Sequence, residues 1–159
     1  VKKEIGTLNK NGIKLRAIGN LAGLPEKTRQ ALEEGIRLTA ENTRLDLILA
    51  LNYSARWEIL HAVNQIAEKV KRGDLLGPID QQCWESELTT AGIPDPELLI
   101  RTSGENRISN FLLWQLAYSE LYFTKRYWPE FRREELYEAL LDYQNRERRF
   151  GKISEQIQQ

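Results

Sequence analysis

Arg101, Arg107, Ser109 and Glu120 lie close together in one stretch of the chain, and these side chains suit the handling of a phosphate group. A guanidinium is a planar fork that can hold two phosphate oxygens at once, which an ammonium does less well. Ser109 stands just before an apolar run, where it suits the cap position of a helix. A helix beginning there would direct unpaired N–H groups and partial positive charge at an anion. The strand-like LLIR ends at Arg101 and runs into a loop containing Gly104. Ligands of open α/β sheets sit beyond the carboxyl ends of strands, which is where this loop falls. On spacing alone a plainer reading stands beside it. Ser109 would be only a cap, Arg101 a surface charge at a strand end, and Arg107 the partner of Glu105.

Glu120 bears on that choice. It follows an apolar stretch through Tyr118-Ser119 and precedes Leu121-Tyr122-Phe123, so core-like sequence flanks it on both sides. Burying a carboxylate without a partner is expensive. Either an arginine such as Arg101 or Arg107 pairs with it, or a cation does. A hard cation such as Mg²⁺ takes one or two carboxylates and completes its shell with phosphate oxygens and water. Both readings fit these residues.

The elements that must position these groups are legible as patterns. IKLRAI, Ile13 to Ile18, alternates like a half-buried strand. Gly19-Asn20 and Gly23 mark a loop, and Pro25 suits the first turn of a helix reaching Leu38. Residues 45–51 are almost continuously apolar, the habit of a parallel strand covered on both faces. A helix follows Asn52-Tyr53-Ser54, with Ile59, Leu60, Val63, Ile66, Ala67 and Val70 on one stripe and Gly73 closing it. The pattern predicts a short helix over 80–91, a strand over 98–101, a buried helix over 110–118 and an edge strand over 121–124. A last helix is expected over 132–149, with Leu136, Ala139, Leu140 and Tyr143 inward. Alternating strands and helices imply an α/β fold, a parallel sheet flanked by helices on both faces, in a single domain over 1–159.

Composition narrows the class. The 159 residues carry 23 basic and 23 acidic side chains, a balance that argues against binding nucleic acid through a diffuse basic surface. A local cationic pocket is still compatible with that balance. Cys83 is the lone cysteine, which excludes an internal disulfide and suits a reducing cytosol. It reads as a small hydrophobe beside Trp84. His61, the single histidine, falls off the helical stripe and reads as a solvated imidazole. No apolar run reaches the ~18 residues of a spanning helix. The opening VKKEIGTLNKNG lacks a signal-peptide core.

The run RTSGENRISNFLLWQLAYSELYF, followed by Trp128-Pro129-Glu130-Phe131, resembles the late signature of the cis-prenyltransferases, the family of undecaprenyl diphosphate synthase. KLRAIGN, LTAENTRLDLILALNYSARWEI and TTAGIPDPELLIR are similar to that family in the same order, and RRFG resembles its closing Arg-x-Gly element. The resemblance covers nearly the whole chain. It implies that Arg101, Arg107 and Ser109 hold the diphosphate of isopentenyl diphosphate, with the peptide at Ile108 alongside. It implies Glu120 as a Mg²⁺ ligand. It further implies that Arg149 and Gly151 reach a partner subunit's substrate in a homodimer. Arg56 and Glu58 match a family segment and are read as structural.

The resemblance implies an enzyme that adds isopentenyl diphosphate units in cis to an allylic diphosphate such as farnesyl diphosphate. The product would be a long-chain polyprenyl diphosphate, made in the cytoplasm by a protein that meets the membrane only through its lipid product. The family's HxxxMDGNGRW loop, which carries its essential aspartate, and its Ser-x-x-Asn-Trp segment do not occur in these residues. The expectation is therefore a C-terminal part of the domain that carries the isopentenyl diphosphate half of the site and is inactive alone. Asn106 lies where some members have histidine. A non-catalytic accessory subunit of a two-component cis-prenyltransferase is the alternative. Retention of Arg101, Arg107, Ser109 and Glu120 together favours the catalytic type. An unrelated phosphoryl transferase would want a GxxxxGK[ST] loop, and none occurs.

Overall fold

The computed structural model describes residues 4–146. They fall into two compact units that divide between Ile93 and Pro94, and each is taken by itself.

In the first unit a short helix, α1 (Ile5–Lys10), precedes β1 (Ile13–Ile18). No apolar stripe announces α1, which buries Ile5 alone. Leu15 and Ile18 of β1 are buried, and strand alternation places them on opposite faces. The strand is thus covered on both sides, where half-burial was expected. Helix α2 (Glu26–Leu38) starts directly after Pro25, as the fixed φ of proline favours. At its end the buried Thr39 hydroxyl accepts the Leu15 N–H at 2.9 Å and donates to the Gly35 carbonyl at 2.9 Å. That side chain fastens α2 to β1.

Strand β2 (Leu45–Ala50) runs parallel to β1, with Ile13 opposite Leu45 and Ile18 opposite Ala50. Its apolar run suggested cover on both faces, yet Leu45 is 55% and Leu47 39% exposed. Among the described residues β2 pairs with β1 alone and is an edge strand. Helix α3 (Ala55–Arg72) begins where Ser54 accepts the Trp57 N–H and ends at Gly73 in the left-handed conformation, as expected. Its buried face differs from the expected stripe. Ala55, Glu58, Ala62 and Ile66 face inward, while Leu60, Val63 and Val70 are exposed. Glu58 makes the choice: its carboxylate accepts the Tyr53 hydroxyl at 2.6 Å and the Thr89 N–H at 3.0 Å. Those bonds orient the helix more firmly than its aliphatic residues do. His61 is half-buried and stacks on Trp57 with ring centroids 5.0 Å apart. Helix α4 (Gln81–Ser86), capped by Asp80, stops five residues short of the expected end at Ala91.

The second unit is built on β3 (Leu98–Arg101) and β4 (Glu120–Phe123), again parallel, with Leu98 opposite Glu120 and Arg101 opposite Phe123. Helix α5 (Arg133–Gln144) follows, shorter at both ends than expected; its inward residue is Ala139, while Leu136 and Leu140 remain about two-fifths exposed. The α/β class and the parallel pairing agree with the sequence pattern.

The expected helix over 110–118 does not form. Ser109, Asn110 and Leu112 have φ of 49°, 60° and 47°, left-handed values that no right-handed helix can accommodate. A series of turns replaces it, closed by Phe111 N–H to the Ile108 carbonyl at 3.1 Å and Leu116 N–H to the Leu112 carbonyl at 2.9 Å. Gln115 and Leu116 are buried, whereas Leu113, Trp114 and Tyr118 are exposed. The apolar run therefore packs through single residues rather than along one helical face.

Candidate functional site

Arg101 is the last residue of β3, at the carboxyl end of the parallel pair. The loop beyond it is folded back onto the exit of β4. Ser103 N–H bonds the Arg126 carbonyl at 2.7 Å and Gly104 N–H the Thr124 carbonyl at 2.8 Å. Ser103 and Gly104 both sit at φ of 72°, so the reversal is made by two successive left-handed residues. The reversal returns the chain past the Arg101 side chain. One nitrogen of that side chain, Nη1, donates to the Ser109 hydroxyl at 2.8 Å and to the Arg107 carbonyl. Ser109 thus meets Arg101 through its side chain and caps no helix, which corrects the expected helix-terminus contribution to anion binding.

The two guanidiniums converge. Glu105 lies 3.9 Å from Nη2 of Arg101 and in ion-pair contact with Nη2 of Arg107. The side chains differ in exposure, at 24% for Arg101 and 66% for Arg107. One guanidinium is built into the loop wall and the other reaches from the surface. Ile108 is half-buried, Ser109 and Asn106 are exposed, and the Ile108 carbonyl is taken by Phe111. The arrangement is a cationic cradle holding a carboxylate, and a phosphate oxygen can take the place of a carboxylate oxygen.

Glu120 is elsewhere. It opens β4 opposite Leu98, three residues along from the Arg101–Phe123 pair, or roughly 10 Å along the strand. Alternation puts its side chain on the face of Leu98, Ile100 and Tyr122, and Arg101 on the other face. Its carboxylate accepts from Arg146 at 2.8 Å, with the side chains 27% and 30% exposed. Arg146 also donates to the Leu121 carbonyl at 3.0 Å and to Asp142 at 2.8 Å. The Glu120 hydrogen bond raises the Arg146 pKa above arginine's ordinary value, with Asp142 adding to it and burial opposing. The need for a partner was legible in the sequence, but the partner is neither Arg101 nor Arg107. The Asp142–Arg146 spacing signals a helical ion pair; nothing in it points to Glu120, 26 residues away.

Among the described residues no group of three or more His, Cys, Asp or Glu could hold a metal ion. Among the described residues Glu120 is bonded through Oε2, to Arg146, and a cation could approach its other oxygen. A Mg²⁺ shared within one chain between Glu120 and an anion on Arg101 and Arg107 does not fit this separation. A Mg²⁺ that takes Glu120 as one ligand among several does fit, since such ions need only one or two carboxylates. Arg149 and Gly151 lie outside the described residues. No helix among the described residues is long and apolar enough to cross a membrane.

Comparison with known proteins follows the same lines. Residues 1–151 match a prenyltransferase family model described as undecaprenyl diphosphate synthase. An isoprenyl transferase of Chlorobaculum tepidum is 52% identical over 99% of this chain and 60% of its own length. A ditrans,polycis-undecaprenyl-diphosphate synthase of Vibrio cholerae, specific for (2E,6E)-farnesyl diphosphate, is 48% identical over 97% of this chain and 62% of its own. The chain spans about three fifths of the length of these relatives. The crystal structure of lavandulyl diphosphate synthase from Lavandula x intermedia, in complex with dimethylallyl diphosphate, superposes with a TM-score of 0.90. It is 38% identical and covers 95% of this chain and 66% of the other.

Proposed function

This chain belongs to the prenyltransferase family of undecaprenyl diphosphate synthase, and from that premise we propose that its Arg101–Ser109 loop binds the diphosphate of isopentenyl diphosphate. The observation that carries the reading is the convergence of Arg101 and Arg107 on one carboxylate, that of Glu105. Two guanidiniums already aimed at an anion cost little to reorganise when a phosphoryl group replaces it. Arg101, held by Ser109 and the Arg107 carbonyl, fixes the orientation of the diphosphate. Arg107, more exposed, closes over it. Ile108 contributes its peptide alongside.

In this reading the enzyme extends an allylic diphosphate, farnesyl diphosphate, by cis addition of isopentenyl units. The double bond of isopentenyl diphosphate attacks the allylic carbon, the allylic diphosphate leaves, and a proton is lost. These residues hold the isopentenyl half of that reaction and do not catalyse it alone. Glu120 would serve as one ligand of Mg²⁺, whose charge would neutralise oxygens of a diphosphate other than the one held by Arg101 and Arg107 of the same chain. The protein acts as a homodimer in the cytoplasm and meets the membrane through its lipid product.

The test is to compare two ligands in the enzyme that contains this chain. Arg101→Ala is expected to weaken isopentenyl diphosphate binding by about two orders of magnitude, the loss of a charge-assisted bidentate contact. Farnesyl diphosphate binding should change less than about threefold. Equal losses for both ligands would contradict the assignment.

A further inference from the structure

Among the described residues Glu105 is the one carboxylate seated between the two arginines of the loop, and the diphosphate reading leaves it without a role. We propose that Glu105 is an internal counter-ion that sets which anions can enter: it gives way to a polyanion such as a diphosphate and turns away ligands of lower charge. The proposal rests on the diphosphate reading of Arg101 and Arg107.

The geometry supports a displaceable ion. Glu105 is 37% exposed, so water reaches the group, while its Oε2 is shielded and faces the arginines. It touches Arg107 and stands 3.9 Å from Arg101, the distance of a loose ion pair. Its contacts with both guanidiniums are ion pairs, in which Coulomb attraction is the shared term. Arg101 does not depend on it, because Ser109 and the Arg107 carbonyl fix that guanidinium independently. Removing Glu105 therefore leaves Arg101 in place.

Charge then decides selectivity. Two guanidiniums and one carboxylate leave the cradle at one net positive charge. A singly charged ligand that displaces Glu105 replaces one negative charge with another and gains nothing. A diphosphate brings at least two negative charges and gains attraction to both guanidiniums. With Glu105 neutral the competition ends, and every anion that displaced it gains by the same factor.

The test is calorimetric titration with inorganic pyrophosphate and with orthophosphate, comparing the enzyme that contains this chain with its Glu105→Gln form. Glu105→Gln is expected to tighten pyrophosphate and orthophosphate binding alike, by about tenfold. Asp74→Asn, which removes one charge from the other compact unit, should alter neither. Unchanged or weaker binding of both anions in Glu105→Gln would overturn the proposal and show Glu105 to be a brace for the arginines. An Arg101→Ala variant identifies the level of failure. If it keeps wild-type pyrophosphate affinity, the diphosphate reading itself is wrong, and the counter-ion role goes with it.

Discussion

The carboxyl ends of the two parallel pairs are organised in opposite ways. Beyond β1 and β2 the polar groups are closed on each other. Glu58, 1% exposed, accepts from Tyr53 and Thr89, and the Thr89 hydroxyl in turn accepts the Gly19 N–H at 3.3 Å. Beyond β3 and β4 the groups are charged, partly exposed and paired with an acid that water can reach. A carboxylate satisfied by neutral donors in the interior is scaffold, because any ligand would have to replace several good hydrogen bonds. A carboxylate between two guanidiniums that water reaches unequally, one in the wall and one at the surface, is exchangeable. The contrast suggests which parallel pair serves as frame and which as binding edge.

Substitutions at the two edges separate scaffold from exchangeable ion. The largest effect should come from Gly19→Ala. Its Cβ would lie 2.3 Å from the Leu51 carbonyl oxygen, and Gly19 sits at φ of 107°. A loss of about 4 kcal/mol or more in urea unfolding is expected from backbone strain and collision. Glu58→Ala comes next, at about 3 kcal/mol, since it leaves the Tyr53 hydroxyl and Thr89 N–H without their acceptor in the interior. A loss below ~0.5 kcal/mol would show that this carboxylate is not scaffold. Arg146→Ala should cost about 1–2 kcal/mol, because the pair with Glu120 is only partly shielded. The smallest effect is expected from Gly104→Ala. At φ of 72° with Lys125 Cγ 3.8 Å away, it bears a left-handed penalty of about 1 kcal/mol and no collision. If Gly104→Ala proved as damaging as Gly19→Ala, the binding edge would be as rigid as the frame.

The frame was the more legible of the two in the sequence. Apolar runs located β1 and β2 within a residue, and Ser54 and Gly73 marked both ends of α3. Those signals are local and survive any packing. The inward face of α3 was not legible, because one hydrogen-bonded carboxylate, Glu58, outweighs the aliphatic stripe. The turns over 110–118 were also missed: left-handed Ser109, Asn110 and Leu112 break a run whose composition reads as a buried helix. Of the candidate site, Arg101, Arg107 and Ser109 do meet, as spacing across a strand-end loop suggested. The distance between Glu120 and that loop could not be read, since it depends on the register of β4 against β3.

The Arg101–Ser109 loop is proposed to bind a diphosphate. Titrating the ¹⁵N-labelled enzyme with isopentenyl diphosphate and following arginine Nε and backbone amide resonances tests it most directly. Arg101 and Arg107 Nε and the Ser109 amide should shift together and saturate, with Arg146 Nε unmoved. Saturating shifts at Arg146 with the loop resonances unchanged would contradict the account.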